Sequence, residues 1–164
     1  MANICVTNYV IEGRKEELDA LYQTMKDLQE NEISEGYPIG LGRMVESFGM
    51  NPDELTHCRG ELVELEYHDG ILRMTIETAW TPCYEVISLL KTKYPSIRVF
   101  YKSEESGCEL YLKNDIDGKY FPETEIDGIP FTIMTEEREE ELTRFIRGIK
   151  NGEITFQVHK QEDC

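Results

Sequence analysis

The sequence predicts an α+β fold on three observations. A β-hairpin is legible residue by residue around Asp69-Gly70, an amphipathic helical stripe lies on each side of it, and the opening strand is apolar on both faces. The chain has 164 residues, with 33 acidic against 17 basic side chains and a formal net charge of −16. That length suits one domain, or one domain with an appendage, and is enough to bury a core without disulfide or metal staples. A hydrophobic content of 40% sets it apart from disordered acidic chains, which bury too little apolar surface to fold. So negative a surface repels phosphate backbones and anionic lipid, which argues against nucleic acid and membrane as direct partners.

Residues 4–11 (ICVTNYVI) are β-branched and aromatic on both faces, which suits a central strand. From Glu16 to Glu32 the apolar period turns helical, with Leu18, Leu21, Tyr22, Met25 and Leu28 on one stripe. Residues 33–59 break the rhythm as an insertion. Gly36, Pro38, Gly40 and Gly42 mark a loop, Leu41, Met44, Val45 and Phe48 suggest one or two helical turns, and Asn51-Pro52 reads as a helix start. Gly40-x-Gly42 lacks the preceding strand and third glycine of a dinucleotide-binding loop. Asp69-Gly70 is a two-residue hairpin signal. Pairing outward sets Tyr67 opposite Leu72, Leu65 opposite Met74 and Val63 opposite Ile76 on an apolar face. The reverse face pairs Glu66 with Arg73 and Glu64 with Thr75. A second helix should run from near Pro82 to Tyr94-Pro95, with Thr81 as N-cap and Val86, Ile87, Leu89, Leu90 and Tyr94 buried. Two strands follow, Ile97 to Ser103 and Cys108 to Asn114. If Ser103 faces Cys108, Tyr101 meets Leu110, Val99 meets Leu112, Lys102 meets Glu109 and Phe100 meets Tyr111.

This order is the split βαβ arrangement of ferredoxin-like domains (βαββαβ), an antiparallel sheet with both helices on one face, here with one extra strand. The domain is expected over residues 1–118. Residues 119–164 are expected to form a C-terminal strand–helix–strand extension packed on it, opened by turns at Asp117-Gly118 and Asp127-Gly128. Thr135 should cap a helix with Glu136 and Glu137 in its first turn and Arg144, Arg147 and Lys150 in its last turns, matching the helix dipole. A strand from Glu153 to His159 would follow. The stripe Leu142, Phe145, Ile146 and Ile149 needs a surface, and the sheet face opposite the first two helices is the expected one. Phe100 and Tyr111 should point there, with Tyr9 a further candidate.

The five cysteines, Cys5, Cys58, Cys83, Cys108 and Cys164, are odd in number and widely spaced, with no Cys-x-x-Cys pair. That fits neither a disulfide framework nor a zinc ribbon, and predicts reduced, mostly buried thiols. No secretory signal precedes the first strand, and no apolar run approaches the roughly 20 residues that span a bilayer. The expected compartment is the cytoplasm.

The segment Glu77-Thr78-Ala79-Trp80-Thr81-Pro82, followed by a helix, Tyr94-Pro95, a strand and Glu104-Glu105-x-Gly107, resembles a specific group. It is similar to the ferredoxin-like domain family named after the plasmid protein YubB, whose members carry an Ala-Trp-Ser/Thr-Pro turn at this place. The match covers residues 60–121, and residues 123–164 lie outside it. The resemblance implies the fold and a small bacterial protein of a plasmid, phage or integrated element. The family carries no assigned catalytic residues, so no site is transferred.

Seven residues stand out as a ligand or partner surface. Trp80, the only tryptophan, could be a stacking platform, but a strand–helix corner favours a bulky core plug with its indole N–H on a carbonyl. Glu104, Glu105, Asp115 and Asp117 could offer oxygens to calcium or magnesium. The segment is not an EF-hand, however. Placing Gly118 at the invariant glycine puts Lys113 at the first ligand and Thr124 at the last, and carboxylates in turns more often bind backbone N–H groups. Phe100 and Tyr111 are reminiscent of RNA-stacking aromatics, but Glu109 and the overall charge oppose that reading despite Arg98, Lys102 and Lys113. His57-Cys58-Arg59 suggests a lowered thiol, but no base partner is assignable and a packed thiol is the simpler reading. His68 flanks the hairpin turn, and His159 is close to the final residue. The acid-rich run Glu136 to Glu141 is partly accounted for by a helix start.

These readings predict a non-catalytic binding or accessory protein of a bacterial mobile element, acting on a protein partner, with no catalytic residue, metal or cofactor assigned. The alternatives are an acidic DNA mimic that occupies a host DNA-binding enzyme, and a small-molecule-binding protein or hydrolase.

Overall fold

A computed structural model describes residues 3–30, 39–51 and 60–150. The expected helix start at Pro52, the His57-Cys58-Arg59 cluster, the Glu153–His159 strand and Cys164 lie outside the described residues. The elements run β1 (Ile4–Glu12), α1 (Lys15–Glu30), β2 (Ile39–Gly40), α2 (Leu41–Ser47), β3 (Gly60–His68), β4 (Ile71–Ala79) and α3 (Tyr84–Lys93). They continue as β5 (Arg98–Glu105), β6 (Leu110–Lys113), β7 (Glu125–Ile126), β8 (Ile129–Pro130), β9 (Thr132–Ile133) and α4 (Glu136–Lys150). The fold is mixed α+β. One sheet has the order β2-β3-β4-β1-β5-β6-β9, antiparallel except where β9 joins β6, and β7 and β8 form a separate ribbon. β1 sits at the centre, as a strand apolar on both faces must.

The β3–β4 turn places Asp69 at φ 51° and Gly70 at φ 73°, the two left-handed residues a type I′ turn requires. Tyr67 faces Leu72, Leu65 faces Met74, Glu66 faces Arg73 and Glu64 faces Thr75, as the sequence predicts. Beyond Glu64 the expectation fails. A bulge places Leu62, not Val63, opposite Ile76. The extra residue reverses the alternation, so Leu62 is 1% exposed and Val63 38% exposed.

The second hairpin also differs from its expected register, with Ser103 opposite Leu112 and Glu105 opposite Leu110. The Glu105 carboxylate accepts the N–H groups of Gly107 (2.7 Å) and Cys108 (2.8 Å), which ties off the turn and lets β5 run two residues further. The change in partner is even, so each side chain keeps its expected face. α3 begins at Tyr84 and Cys83, not Thr81, precedes it at the cap position, because Trp80 at φ 69° bends the chain first.

The core forms between the helices and one sheet face. Leu18, Leu21 and Met25 of α1 and Val86, Ile87 and Leu90 of α3 meet Tyr9, Ile11, Leu72, Met74, Val99 and Tyr101. Tyr9 therefore faces the helices and not the opposite side. Cys5 and Cys83 are buried thiols, neither of them in a disulfide. Cys108 is disulfide-bonded, a departure from the expectation of reduced thiols throughout, and it sits half-buried at a hairpin end outside the core.

Among the described residues of α4, none is placed on the opposite face. Its described contacts lie on the helical side: Glu139 accepts a hydrogen bond from Tyr101 (2.7 Å), Glu136 pairs with Lys91 of α3 (2.7 Å), and Leu142 packs against the core. Thr135 caps it as expected, accepting the Arg138 N–H at 3.3 Å. Among the described residues, no helix is long and apolar enough to cross a membrane.

Candidate functional site

The sheet face away from the helices carries the even-numbered residues of β1, among them Val6, Asn8, Val10 and Glu12. Their neighbours are Arg73, Thr75 and Glu77 of β4, and Phe100, Lys102 and Glu104 of β5. Half of this face is covered by the chain between β6 and β9. Asp115 organises that cover. Its buried carboxylate accepts the N–H groups of Lys119 (3.1 Å), Tyr120 (2.8 Å) and Phe121 (2.8 Å). Burial acts to raise the Asp115 carboxyl, but those three bonds and the Lys113 charge outweigh it and hold the group below its ordinary range.

The organised turn lays its aromatics on the sheet. Tyr120 meets Phe100 edge-on at 5.2 Å between centroids, and Phe131 meets Tyr111 at 6.0 Å. The Lys113 ammonium, buried beneath, donates to the carbonyls of Phe121 (2.9 Å) and Glu123 (2.8 Å). Glu12 fastens the edge, accepting from Lys119 and Tyr120 and pairing with Arg98 at 2.7 Å. Burial pushes the Tyr120 phenol up, and its bond to Glu12 pushes the same way.

The uncovered half is a groove of about 380 Å³. Its floor is Asn8, Val10, Thr75 and Arg73, its outer side Glu64 and Glu66 of β3, and its inner wall Tyr120, Phe121, Glu123 and Lys102. Thr75 Oγ1 lies 3.1 Å from both Asn8 Oδ1 and Glu64 Oε2, so one hydroxyl proton serves two acceptors. Lys102 pairs with Glu104 at 2.9 Å and Glu123 at 3.8 Å. Glu66 and Arg73 stand opposite each other without closing an ion pair with any described residue. The groove thus offers three carboxylates against two cations on a strand-shaped floor, which suits binding of an extended or cationic ligand.

The sequence candidates fall in different places. Phe100 and Tyr111 are on this face but lie under Tyr120 and Phe131. Glu105 and Asp115 are buried and engaged by backbone N–H groups, Glu104 by Lys102, and Asp117 is exposed in the turn. The first two belong to opposite ends of the β5–β6 hairpin, and among the described residues no group of three His, Cys, Asp or Glu could hold a metal ion. Trp80 is not a core plug. It is 44% exposed, while Cys83 and Tyr84 just after it are buried in the core, Tyr84 against Tyr101.

Sequence reasoning missed Asn8, Lys102, Tyr120 and Glu123 as groove residues. The alternation of β1 places Asn8 away from the helices, a usable signal, but nothing local places Tyr120 or Glu123 beside it. The chain matches no protein-family model, no curated protein and no solved structure.

Proposed function

We propose that this chain is a non-catalytic binding protein that acts through a protein partner, taking a basic segment of that partner along the half-open sheet face. The observation that carries the reading is the groove itself: a strand-wide floor left uncovered by the Asp115 turn and rimmed by Glu64, Glu66 and Glu123. The charge of −16 favours a cationic occupant and opposes nucleic acid. A hydrolytic reading would need a nucleophile beside a base whose partner orients it. Within the groove Thr75 and Glu64 come nearest, but Asn8 competes for the same proton.

We read the core as ferredoxin-like, because β3-β4-β1-β5 are antiparallel neighbours with α1 and α3 on one face. The Ala79-Trp80-Thr81-Pro82 turn supports a YubB-like origin in a bacterial mobile element.

The test is affinity capture from a bacterial lysate, comparing the native chain with a Glu64→Lys/Glu66→Lys variant by quantitative mass spectrometry. The expected result is a basic protein retained by the native chain, lost from the variant and released by salt. The same proteins on both baits would overturn the reading. A retained DNA-binding enzyme that duplex DNA displaces would replace it with the mimic.

A further inference from the structure

The open face ends in a corner where β1 and the turn after β4 present two large apolar side chains to solvent. Ile4 is 59% exposed and Trp80 44% exposed. Both are fixed in place. Ile4 is the pairing partner of Ala79, and the Trp80 N–H donates to the Asn3 carbonyl at 2.9 Å. The Thr81 N–H donates to the Ala79 carbonyl at 2.8 Å across Trp80, closing a three-residue turn, and the Thr78 hydroxyl holds the Thr81 carbonyl at 2.7 Å. Beside them opens a cavity of about 340 Å³ whose lining includes Ile4, Gly60, Glu61, Glu77 and Ala79.

Charge decides what fits there. Glu61 and Glu77 are direct cross-strand partners, an arrangement in which like charges repel. Among the described residues neither has an ion-pair partner, and no described residue lining the cavity is a cation. A second copy of this chain, at −16, would add charge of the same sign. A lysine or arginine between the two carboxylates removes the repulsion, and an apolar neighbour covers the exposed carbon.

We propose that this corner anchors the protein partner: a basic side chain enters between Glu61 and Glu77 while an adjacent apolar side chain packs on Ile4 and Trp80. The proposal rests on the partner reading above and deepens it, naming a basic residue next to an apolar one as the feature recognised. Tryptophan is enriched among the residues that dominate interface energies, and its ring face attracts cations.

Because Trp80 is the only tryptophan, its emission reports on this corner alone. The probes are a synthetic peptide of alternating lysine and leucine and an oligolysine of equal charge, added to the full chain at low salt. The lysine–leucine peptide is expected to shift Trp80 emission to the blue and to shield it from acrylamide. A Glu61→Gln/Glu77→Gln variant, which keeps both side-chain shapes, is expected to bind it about tenfold more weakly by calorimetry. Binding without an emission shift and with no loss in that variant would overturn the anchor while leaving the groove reading intact. Binding of neither cationic peptide would overturn both.

Discussion

Tyr101 donates its phenolic hydrogen to Glu139 Oε1 at 2.7 Å, tying the middle of β5 to the first turn of α4 inside the core. Burial raises the Glu139 carboxyl above its ordinary value, against the Tyr101 bond and the Lys91 charge, while the Glu136 charge raises it further. Burial also pushes the Tyr101 phenol up, as does the neighbouring Glu139 charge.

A raised folded value means that the folded chain holds this proton more tightly than the unfolded chain. The contribution of Glu139 to stability is therefore full below the ordinary carboxylate range and is lost as pH rises through the folded value. Glu139→Gln keeps an acceptor for Tyr101 and removes the buried charge. It should stabilise at pH 7 by up to about 1 kcal/mol and lose that advantage in acid. Glu139→Ala leaves the Tyr101 hydroxyl without its acceptor and should cost about 1–3 kcal/mol. Urea titrations of the three proteins at pH 4 and 7 measure both effects, and a Gln variant less stable than the parent at pH 7 would contradict the account.

Asp115 has the opposite sign. Its lowered value stabilises the fold above the ordinary carboxylate range, and that contribution is lost as pH falls through the folded value. Asp115→Ala removes the acceptor for three N–H groups and should destabilise by about 2–4 kcal/mol. With the cover loosened, Phe100 and Tyr111 become accessible. Increased binding of a hydrophobic dye at pH 7, absent from the parent, is the readout.

The bulge in β3 makes a prediction contrary to simple alternation. Leu62→Ala should cost about 2–4 kcal/mol, because the side chain is fully enclosed. Val63→Ala should cost under about 1 kcal/mol, as its side chain faces solvent. Equal losses in thermal or denaturant unfolding would mean that the bulge is misplaced.

Burial pushes the Cys5 thiol up to about 11, while hydrogen bonds involving Thr7 and Thr78 pull the other way. At pH 8 the native chain should leave Cys5 unmodified by iodoacetamide, and unfolding in guanidinium should make it react within minutes. Peptide mass spectrometry of the two samples checks this. Rapid native labelling would show that the β1 end opens.

Much of the architecture was readable because it depends on short-range periodicity. Asp69-Gly70 and the alternation about it set the β3–β4 register as far as Glu64, and the Leu18–Leu21–Met25 stripe set the buried side of α1. The errors have particular causes. The β5–β6 register is set by the Glu105 side chain reaching its own turn, which strand pairing alone does not reveal. Trp80 looks like core by hydrophobicity, but at φ 69° it turns the chain and stays exposed, and Cys83 and Tyr84 are the residues that enter the core.

By itself the sequence determined the α+β class, the central place of β1 and the face on which each β4 and β5 side chain lies, because alternation and helical stripes are properties of neighbouring residues. Only the tertiary structure decided which half of the second sheet face stays open. That choice depends on contacts between distant residues, Glu12 with Lys119 and Tyr120, Phe100 with Tyr120, and Lys113 with the Phe121 and Glu123 carbonyls. Strand pairing between distant residues likewise makes the acidic, apolar corner, because it brings Glu61 opposite Glu77 and sets Ile4 beside Ala79.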